Sequence, residues 1–389
     1  MHEETFIGQE QVCIKNLNMD ELKKLIQINS KSDNITGVNN FGHELIQLYK
    51  DLDIEWEKVQ KKDAADFLIG RTKVIKGHPV IGLSAHMDVV FEPEKVKFEE
   101  TEDKLFGSGV SDMKSSFIVI YEVLKKLKKE NKLNNIILSF SPEEETATLH
   151  HRETIESIAK ECDYVLVFES TLNEGQNEPL NKRSIVASRR GFQHFDVIIE
   201  GPGGHSGLLV KKEDRVNTIL IAANILTKLE ALADYEKVTT VNVGMINGGQ
   251  AINVIAPLTQ FFFEFRYKTL EEYNRVHNNI KEIFNPKNFP DKVTVKLNEN
   301  KFYPNLENTS LDFIKICQKV AENQKVDLVV EERNGGSEAS LFKFYNPKAQ
   351  VLDGFGVRGY EEHTNKEYIY KETLKSTINY VVKVINSLE

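Results

Sequence analysis

Three short apolar runs in this chain each end in polar, chemically capable residues, and that pattern constrains the fold more than any other. The run 82–91 carries His86 and Asp88, the run 135–140 leads into Ser141-Pro142-Glu143-Glu144-Glu145-Thr146, and 164–168 ends in Glu169. Apolar runs of this length read as buried strands, and Pro142 stops the second of them. Residues two apart on a strand face the same side, so His86 and Asp88 would be delivered together. Acids at the carboxyl ends of central strands sit where open α/β sheets form their ligand crevice.

Two further segments belong with these. Residues 105–114 form a glycine-spaced loop, with Gly107 and Gly109, that puts Asp112 just before a helical pattern through Phe117, Ile118, Tyr121, Leu124 and Leu127. Glycine permits a tight backbone there, and an acid at a helix start can serve as a cap. Near the C-terminus, Gly354-Phe355-Gly356 precedes Glu361-Glu362-His363-Thr364. Each segment alone has an ordinary explanation: a surface pair, a helix cap, a solvated acidic loop, a packed histidine. The ordered set carries the chemistry.

In that order and spacing, the chain resembles the dinuclear zinc metallopeptidase and deacylase family that contains carboxypeptidase G, acetylornithine deacetylase, succinyl-diaminopimelate desuccinylase and aminoacylase. The resemblance runs from about Leu22 to the end. It implies that His86 and Glu169 bind one metal, that Glu145 and His363 bind the other, and that Asp112 bridges both. Asp88 would hold His86 by its second ring nitrogen, fixing its tautomer. Glu144 would be the general base toward a metal-bridging water. Two zinc ions per chain are implied; nitrogen and oxygen donors without thiolate also suit cobalt or manganese. Aligning Ser-Pro-Glu-Glu-Glu with the family's Ser-Pro-Asp-Glu-Glu makes Glu144 the base and Glu145 the ligand. A slip of one residue would give those roles to Glu143 and Glu144.

The middle of the chain is organised differently. Alternating apolar residues over 192–199 read as an antiparallel strand, ending in Gly201-Pro202-Gly203-Gly204-His205-Ser206-Gly207. A helical pattern through Ile219, Ala222, Ile225 and Leu229 follows, then strands over 238–246 and 258–267. This reads as a small α+β domain inserted into a larger α/β domain. The resemblance implies a three-layer α/β/α catalytic domain with a mixed, mainly parallel sheet (1–190 and 304–389) and an inserted lid and dimerisation domain (191–303). Family patterns match at His205, Asn253 and Arg266, which would hold the substrate's carbonyl oxygen or carboxylate, the histidine commonly coming from a partner subunit. A guanidinium suits a carboxylate because it donates two parallel hydrogen bonds; Arg266 could equally pair with Glu264 along its strand. The loop Asn334-Gly335-Gly336-Ser337-Glu338 matches one that lines the family's substrate pocket, with Glu338 where aspartate is commoner. Gly336 and Ser337 are therefore further substrate-binding candidates, unless the loop is only the turn before a helix.

Composition is consistent with this and excludes other classes. A net charge of -9, without a basic stripe, argues against nucleic acid. Lys125, Lys126, Lys128 and Lys129 read as the solvated end of a helix. Cys13, Cys162 and Cys317 form no pairing pattern, which points to a reducing compartment. No signal-like N-terminal segment or membrane-length run is visible, so a cytoplasmic protein is expected.

Substrate is read from finer detail. Met87-Asp88-Val89-Val90-Phe91 looks closest to the carboxypeptidase G branch, which removes a C-terminal, often glutamate-like, amino acid from a peptide or N-acyl precursor. Lys114-Ser115-Ser116 replaces the family's Lys-Gly-Gly, and Ala147-Thr148 its Gly-Ser, so the pocket shape can differ. An N-acyl-amino-acid deacylase of the acetylornithine deacetylase type is the alternative, and a non-catalytic metal-binding protein the least favoured. A homodimer through the insert is expected by analogy.

Overall fold

The computed structural model describes residues 18–171, 179–207, 211 and 215–388. Cys13 and the N-terminal segment read above for a leader lie outside the described residues. The apolar runs form the strands Ile81–His86, Ile136–Ser141 and Tyr164–Val167, which pair in parallel. The first two are buried throughout and the third over three of its four positions. They are unbroken in hydrophobicity because both faces are covered, as parallel strands require. Gln350–Leu352 adds a parallel strand on one side. Ala64–Arg71 and Glu55–Lys61 add antiparallel strands on the other. The result is a six-stranded, mixed and mainly parallel sheet.

Alternation within the strands builds two layers of core. Leu138, Phe140, Leu166 and Phe168 face a cluster with Phe117, Ile120 and Leu124 of the helix Ser115–Lys129 and Ile378 and Val381 of the helix Lys371–Asn386. Ile137, Val165 and Val167 face the opposite cluster, with Ile155 and Ile158 of Arg152–Glu161 and Leu341 and Phe342 of Glu338–Tyr345. Helix, sheet and helix thus form three layers.

A second sheet is antiparallel, in the order Thr240–Gly248, Leu258–Tyr267, Gly191–Glu200, Thr294–Tyr303. Burial alternates strictly along Gly191–Glu200, the signature of a sheet covered on one face only. Phe195, Val197, Phe261, Phe263 and Phe265 pack beneath the helices Thr218–Glu230 and Leu270–Ile283. The rings of Phe195 and Phe263 stack 4.7 Å apart. The chain enters this unit after Arg189 and returns before Leu306, and those two residues exchange backbone hydrogen bonds of 3.0 Å in both directions.

Two further sheets frame the site. Asp327–Arg333 pairs in parallel with Lys182–Arg189. Tyr368–Tyr370 pairs with both Gly359–Tyr360 and Lys104–Phe106. This last arrangement sets the loop carrying His363 against the glycine loop carrying Asp112, two residues 251 positions apart in sequence.

Candidate active site

His86 is the last residue of its strand, and its partner in the neighbouring strand, Ser141, ends that strand too. His86, the Glu143–Glu145 segment and Glu169, two residues beyond Tyr164–Val167, therefore emerge at one edge of the sheet. Asp112 follows Gly109, whose φ of 71° is left-handed, and a Cβ at Gly109 would come within 2.4 Å of Val89. Glycine is needed there on both counts.

The Asp112 carboxylate is divided between two histidines. Its Oδ1 lies 2.9 Å from His86 Nε2 and its Oδ2 3.1 Å from His363 Nε2. Each histidine has a second carboxylate beside it: Glu169 at 3.9 Å from His86, and Glu145 at 3.3 Å from His363. Ligand atoms of His86, Asp112 and Glu145 fall within 4.8 Å of one another, as do those of His86, Glu144 and Glu169.

The cluster is held from behind. His86 Nδ1 lies 3.0 Å from the backbone carbonyl of Asp88 and 3.5 Å from its carboxylate. Donation from Nδ1 leaves Nε2 to face Asp112. The buried Asp88 carboxylate accepts hydrogen bonds from Ser32 Oγ at 2.8 Å and from the backbone N–H groups of Glu144 and Glu145 at 3.0 and 3.2 Å. It thus orders the acidic turn as well as the imidazole. Glu143 points elsewhere: its carboxylate accepts from the backbone of His150 and His151 and from His150 Nδ1, at 2.7 to 3.0 Å. Glu144 and Glu145, by contrast, line the cavity over the cluster.

Electrostatics fit a cation site. Burial pushes Glu144 and Glu169 well above the usual carboxylate range, and neighbouring acids add to this. The hydrogen bond to Asp112 and the close approach of Glu145 raise His363 to about 11. Burial opposes the charge on His86, but its bonds to Asp112 and Asp88 prevail and its pKa is raised. The two imidazolium protons thus stand where divalent ions would balance the carboxylates. Buried Glu145 Oε1 has no hydrogen-bond partner, only the ion-pair approach of His363. A nitrogen and oxygen donor set with an unsatisfied carboxylate oxygen fits zinc, cobalt or manganese.

Several supporting residues escaped the sequence reading. Buried Glu367 accepts backbone N–H bonds from Gly109, Ser111 and Asp112 at 2.9, 2.7 and 2.9 Å, gripping the loop that carries Asp112. Its signal was an acid four residues after His363. Lys114, wholly buried, donates to the carbonyls of Ile26 and Ile28. Arg189 pairs with buried Asp353 at 2.6 Å and donates to Gly335 O at 3.0 Å, fixing the glycine loop.

The substrate-side candidates separate into two groups. Arg266 pairs with Glu264 through Nε at 2.9 Å and Nη2 at 3.2 Å, and its Nη1 reaches Asn334 O at 3.3 Å. Gly336 lines the cavity, of about 520 Å³, and a Cβ there would come within 2.9 Å of the Phe192 and Tyr303 rings. Ser337 is buried instead: it caps the helix Glu338–Tyr345 by accepting from Ala339 N and donates to Asp353 at 2.7 Å. His205 and Asn253 are brought together by pairing of Gly204–His205 with Val254–Ile255 and by a bond from Ser206 N to Asn253 O. Both are exposed, and neither lines the cavity with the metal-ligand candidates. A second groove, of about 650 Å³ between Leu149 and the open face of the antiparallel sheet, holds none of the metal-ligand candidates.

Known proteins are similar to this chain in sequence or in fold. Carboxypeptidase G2 from Pseudomonas sp. (strain RS-16) is 26% identical over 362 residues, covering 90% of this chain and 83% of its own. Acetylornithine deacetylase from Buchnera aphidicola subsp. Acyrthosiphon pisum (strain 5A) is 28% identical over 201 residues, 47% of this chain and 49% of its own. The crystal structure of aminopeptidase PepT from Bacillus cereus ATCC 10987 matches in fold with a TM-score of 0.75 at 21% identity, covering 97% of this chain and 100% of that one. The family model of Peptidase family M20/M25/M40 matches residues 82–387. The chain belongs to that family, and is a metal-dependent peptidase or amidohydrolase.

Proposed function

We propose that the protein is a two-metal hydrolase that removes a C-terminal, glutamate-like amino acid from a peptide or N-acyl amino acid. The observation that carries this reading is the divided Asp112 carboxylate, one oxygen toward His86 and the other toward His363. His86, Asp112 and Glu169 would hold one ion, and Asp112, Glu145 and His363 the other. Two divalent ions held there would supply Lewis acidity to the scissile carbonyl and to the attacking water. Glu144 takes the proton from that water and returns it to the leaving nitrogen. Asp88 keeps the His86 tautomer and the acidic turn in register.

Residues 191–303 act in this reading as a lid and dimerisation domain on a catalytic domain made of 1–190 and 304–389. Support comes from the edge strand Thr240–Gly248, where Met245 and Ile246 are 59% and 48% exposed, and from Ile252 in the following loop, fully exposed. An isologous dimer would cover such a surface. His205 and Asn253, exposed and away from the cavity, then serve a site completed by the partner, while Arg266 and Gly336 serve their own. The unpaired, buried Cys162 and Cys317 agree with the reducing cytoplasm.

A deacylase of the acetylornithine deacetylase type is the second reading, favoured by the similarity to that enzyme over half its length. The test is hydrolysis of a panel of N-acyl amino acids and dipeptides by metal-stripped protein titrated with zinc. Preference for C-terminal glutamate supports the carboxypeptidase reading, and preference for N-acetylated basic amino acids the deacylase. Glu144→Gln should keep its metal and lose turnover; an active variant removes Glu144 from the role of base.

A further inference from the structure

Glu144 has a side-chain neighbour with no role so far. Tyr303 ends the strand Thr294–Tyr303 at one edge of the antiparallel sheet, yet its ring is only 2% exposed and its hydroxyl lies 3.2 Å from Glu144 Oε1. The same hydroxyl is 3.0 Å from Thr148 Oγ1. Thr148 is 3.2 Å from Glu338 Oε1, and the other oxygen of Glu338 accepts from Ser84 Oγ at 3.0 Å. A chain of buried polar groups therefore runs from Glu144 through Tyr303 and Thr148 to Glu338 and the central strand.

Each hydroxyl has one proton to give. If Thr148 donates to Tyr303, the phenol proton is left for Glu144. If Thr148 donates to Glu338, the phenol chooses between a hydroxyl oxygen and a carboxylate, and the carboxylate is the stronger acceptor. In both cases Tyr303 donates to Glu144. The ring itself has little room to move. A Cβ on Gly336 would lie 2.9 Å from it, Phe192 meets it edge-on with centroids 5.5 Å apart, and the Arg152 guanidinium lies 5.7 Å from its centroid.

We infer that Tyr303 is a positioning residue for the general base: it holds Glu144 Oε1 from the antiparallel sheet, so that Oε2 faces the reacting atoms. The torsion that turns a carboxylate is broad and shallow, so a free Glu144 would sample many orientations. One anchored oxygen removes that freedom. The orientation of the base then depends on a residue of the inserted segment, which couples the seating of that sheet to catalysis. This inference rests on Glu144 being the base.

The test combines Tyr303→Phe, which keeps the ring and removes only the hydroxyl, with Thr148→Val, which cuts the chain one step further away. The first readout needs no substrate: thermal unfolding of metal-free wild type, Tyr303→Phe, Glu144→Ala and the double variant. A direct bond predicts that the double variant loses less in melting temperature than the two single losses together; additive losses overturn the inference. The second readout is kinetic, on the fastest substrate of the N-acyl-glutamate and dipeptide panel with zinc-loaded protein. Tyr303→Phe should lower kcat about 10- to 100-fold, with KM and zinc content unchanged, and Thr148→Val should lower it less. Unchanged kcat, or parallel losses of kcat, zinc and substrate affinity, would overturn the inference and leave Tyr303 a packing residue. Glu144→Gln separates the two claims. If that variant is active, the assignment of the base has failed; if it is inactive while Tyr303→Phe is normal, only the inference has failed.

Discussion

The carboxyl edge of the parallel sheet and the inserted antiparallel unit both carry candidate functional residues, but they hold them in opposite ways. At the parallel sheet, His86, Asp88 and Glu144 sit among buried groups, and Asp112 is gripped through its backbone by Glu367. In the inserted unit, His205 and Asn253 are exposed at a separate two-stranded pairing, and Arg266 of the four-stranded sheet is 33% exposed and held by its strand neighbour Glu264 and by Asn334 O. Metal ligands need a geometry fixed to fractions of an ångström, which only a supporting shell of partners supplies. Residues that meet a variable substrate can be left adjustable. The two regions should therefore fail differently when mutated.

The largest effect belongs to the shared ligand. Asp112→Ala should cost at least about 1,000-fold in kcat/KM, in line with loss of a full electrostatic contributor, and metal analysis should find both ions lost or weakened. If one ion stays at full affinity, the carboxylate is not shared. Next comes pH. In the metal-free protein His86 and His363 both hold protons at neutral pH, since both pKa values are raised, His363 to about 11. Metal binding needs the Nε2 lone pair of each, so two protons must leave and affinity must fall as pH falls. A competition titration with a chelator should show the combined affinity for two ions dropping by at least about 100-fold per pH unit below neutrality. Calorimetry in buffers of different ionisation enthalpy should count at least two protons released, the raised carboxyls of Glu145 and Glu169 adding to the two histidines; a flat dependence would mean the histidines do not bind metal.

A smaller effect is expected one step behind the ligands. Glu367→Gln replaces one of the two side-chain oxygens that accept from three amides of the Asp112 loop with an NH2 donor, and should weaken metal binding by about 10- to 100-fold while the protein stays folded. Circular dichroism and a zinc titration on the same sample would decide it. The smallest effect should come from the other region. Arg266→Ala should raise KM several-fold without changing metal content, and should alter stability by less than about 1 kcal/mol because its ion pair is partly solvated. Loss of metal in that variant would erase the contrast between the two regions.

The sequence disclosed these regions unequally, for a physical reason. Parallel strands buried on both faces appear as unbroken apolar runs, so a polar residue at the end of one is conspicuous; His86, the Glu143–Glu145 cluster and Glu169 were legible on that ground. The antiparallel strand Gly191–Glu200 was legible from its alternation. Residues whose work depends on distant partners were not. Glu367 grips amides more than 250 positions away, and Tyr303 reaches Glu144 across 159. Arg189 and Asp353 meet across 164. No local pattern marks such a pair, because each member looks like ordinary surface until the fold brings them together. The acidic triplet was open to two registers for a related reason: three identical side chains offer no contrast. In the structure the contrast comes from elsewhere, since the amides of His150 and His151 take Glu143 and the Asp88 carboxylate orders the backbone of Glu144 and Glu145. Ser337 shows the converse. A glycine-rich loop suggested a substrate contact, whereas the hydroxyl is occupied as a helix cap and by Asp353.

The central claim is that one carboxylate, Asp112, serves two metal sites at once. Its most direct test is the zinc content of the protein after stripping and stoichiometric reloading, in wild type and in His86→Ala, His363→Ala and Asp112→Ala. The account predicts two ions per chain in wild type and one in each histidine variant. A single ion in wild type, or one ion held at wild-type affinity in Asp112→Ala, would contradict it.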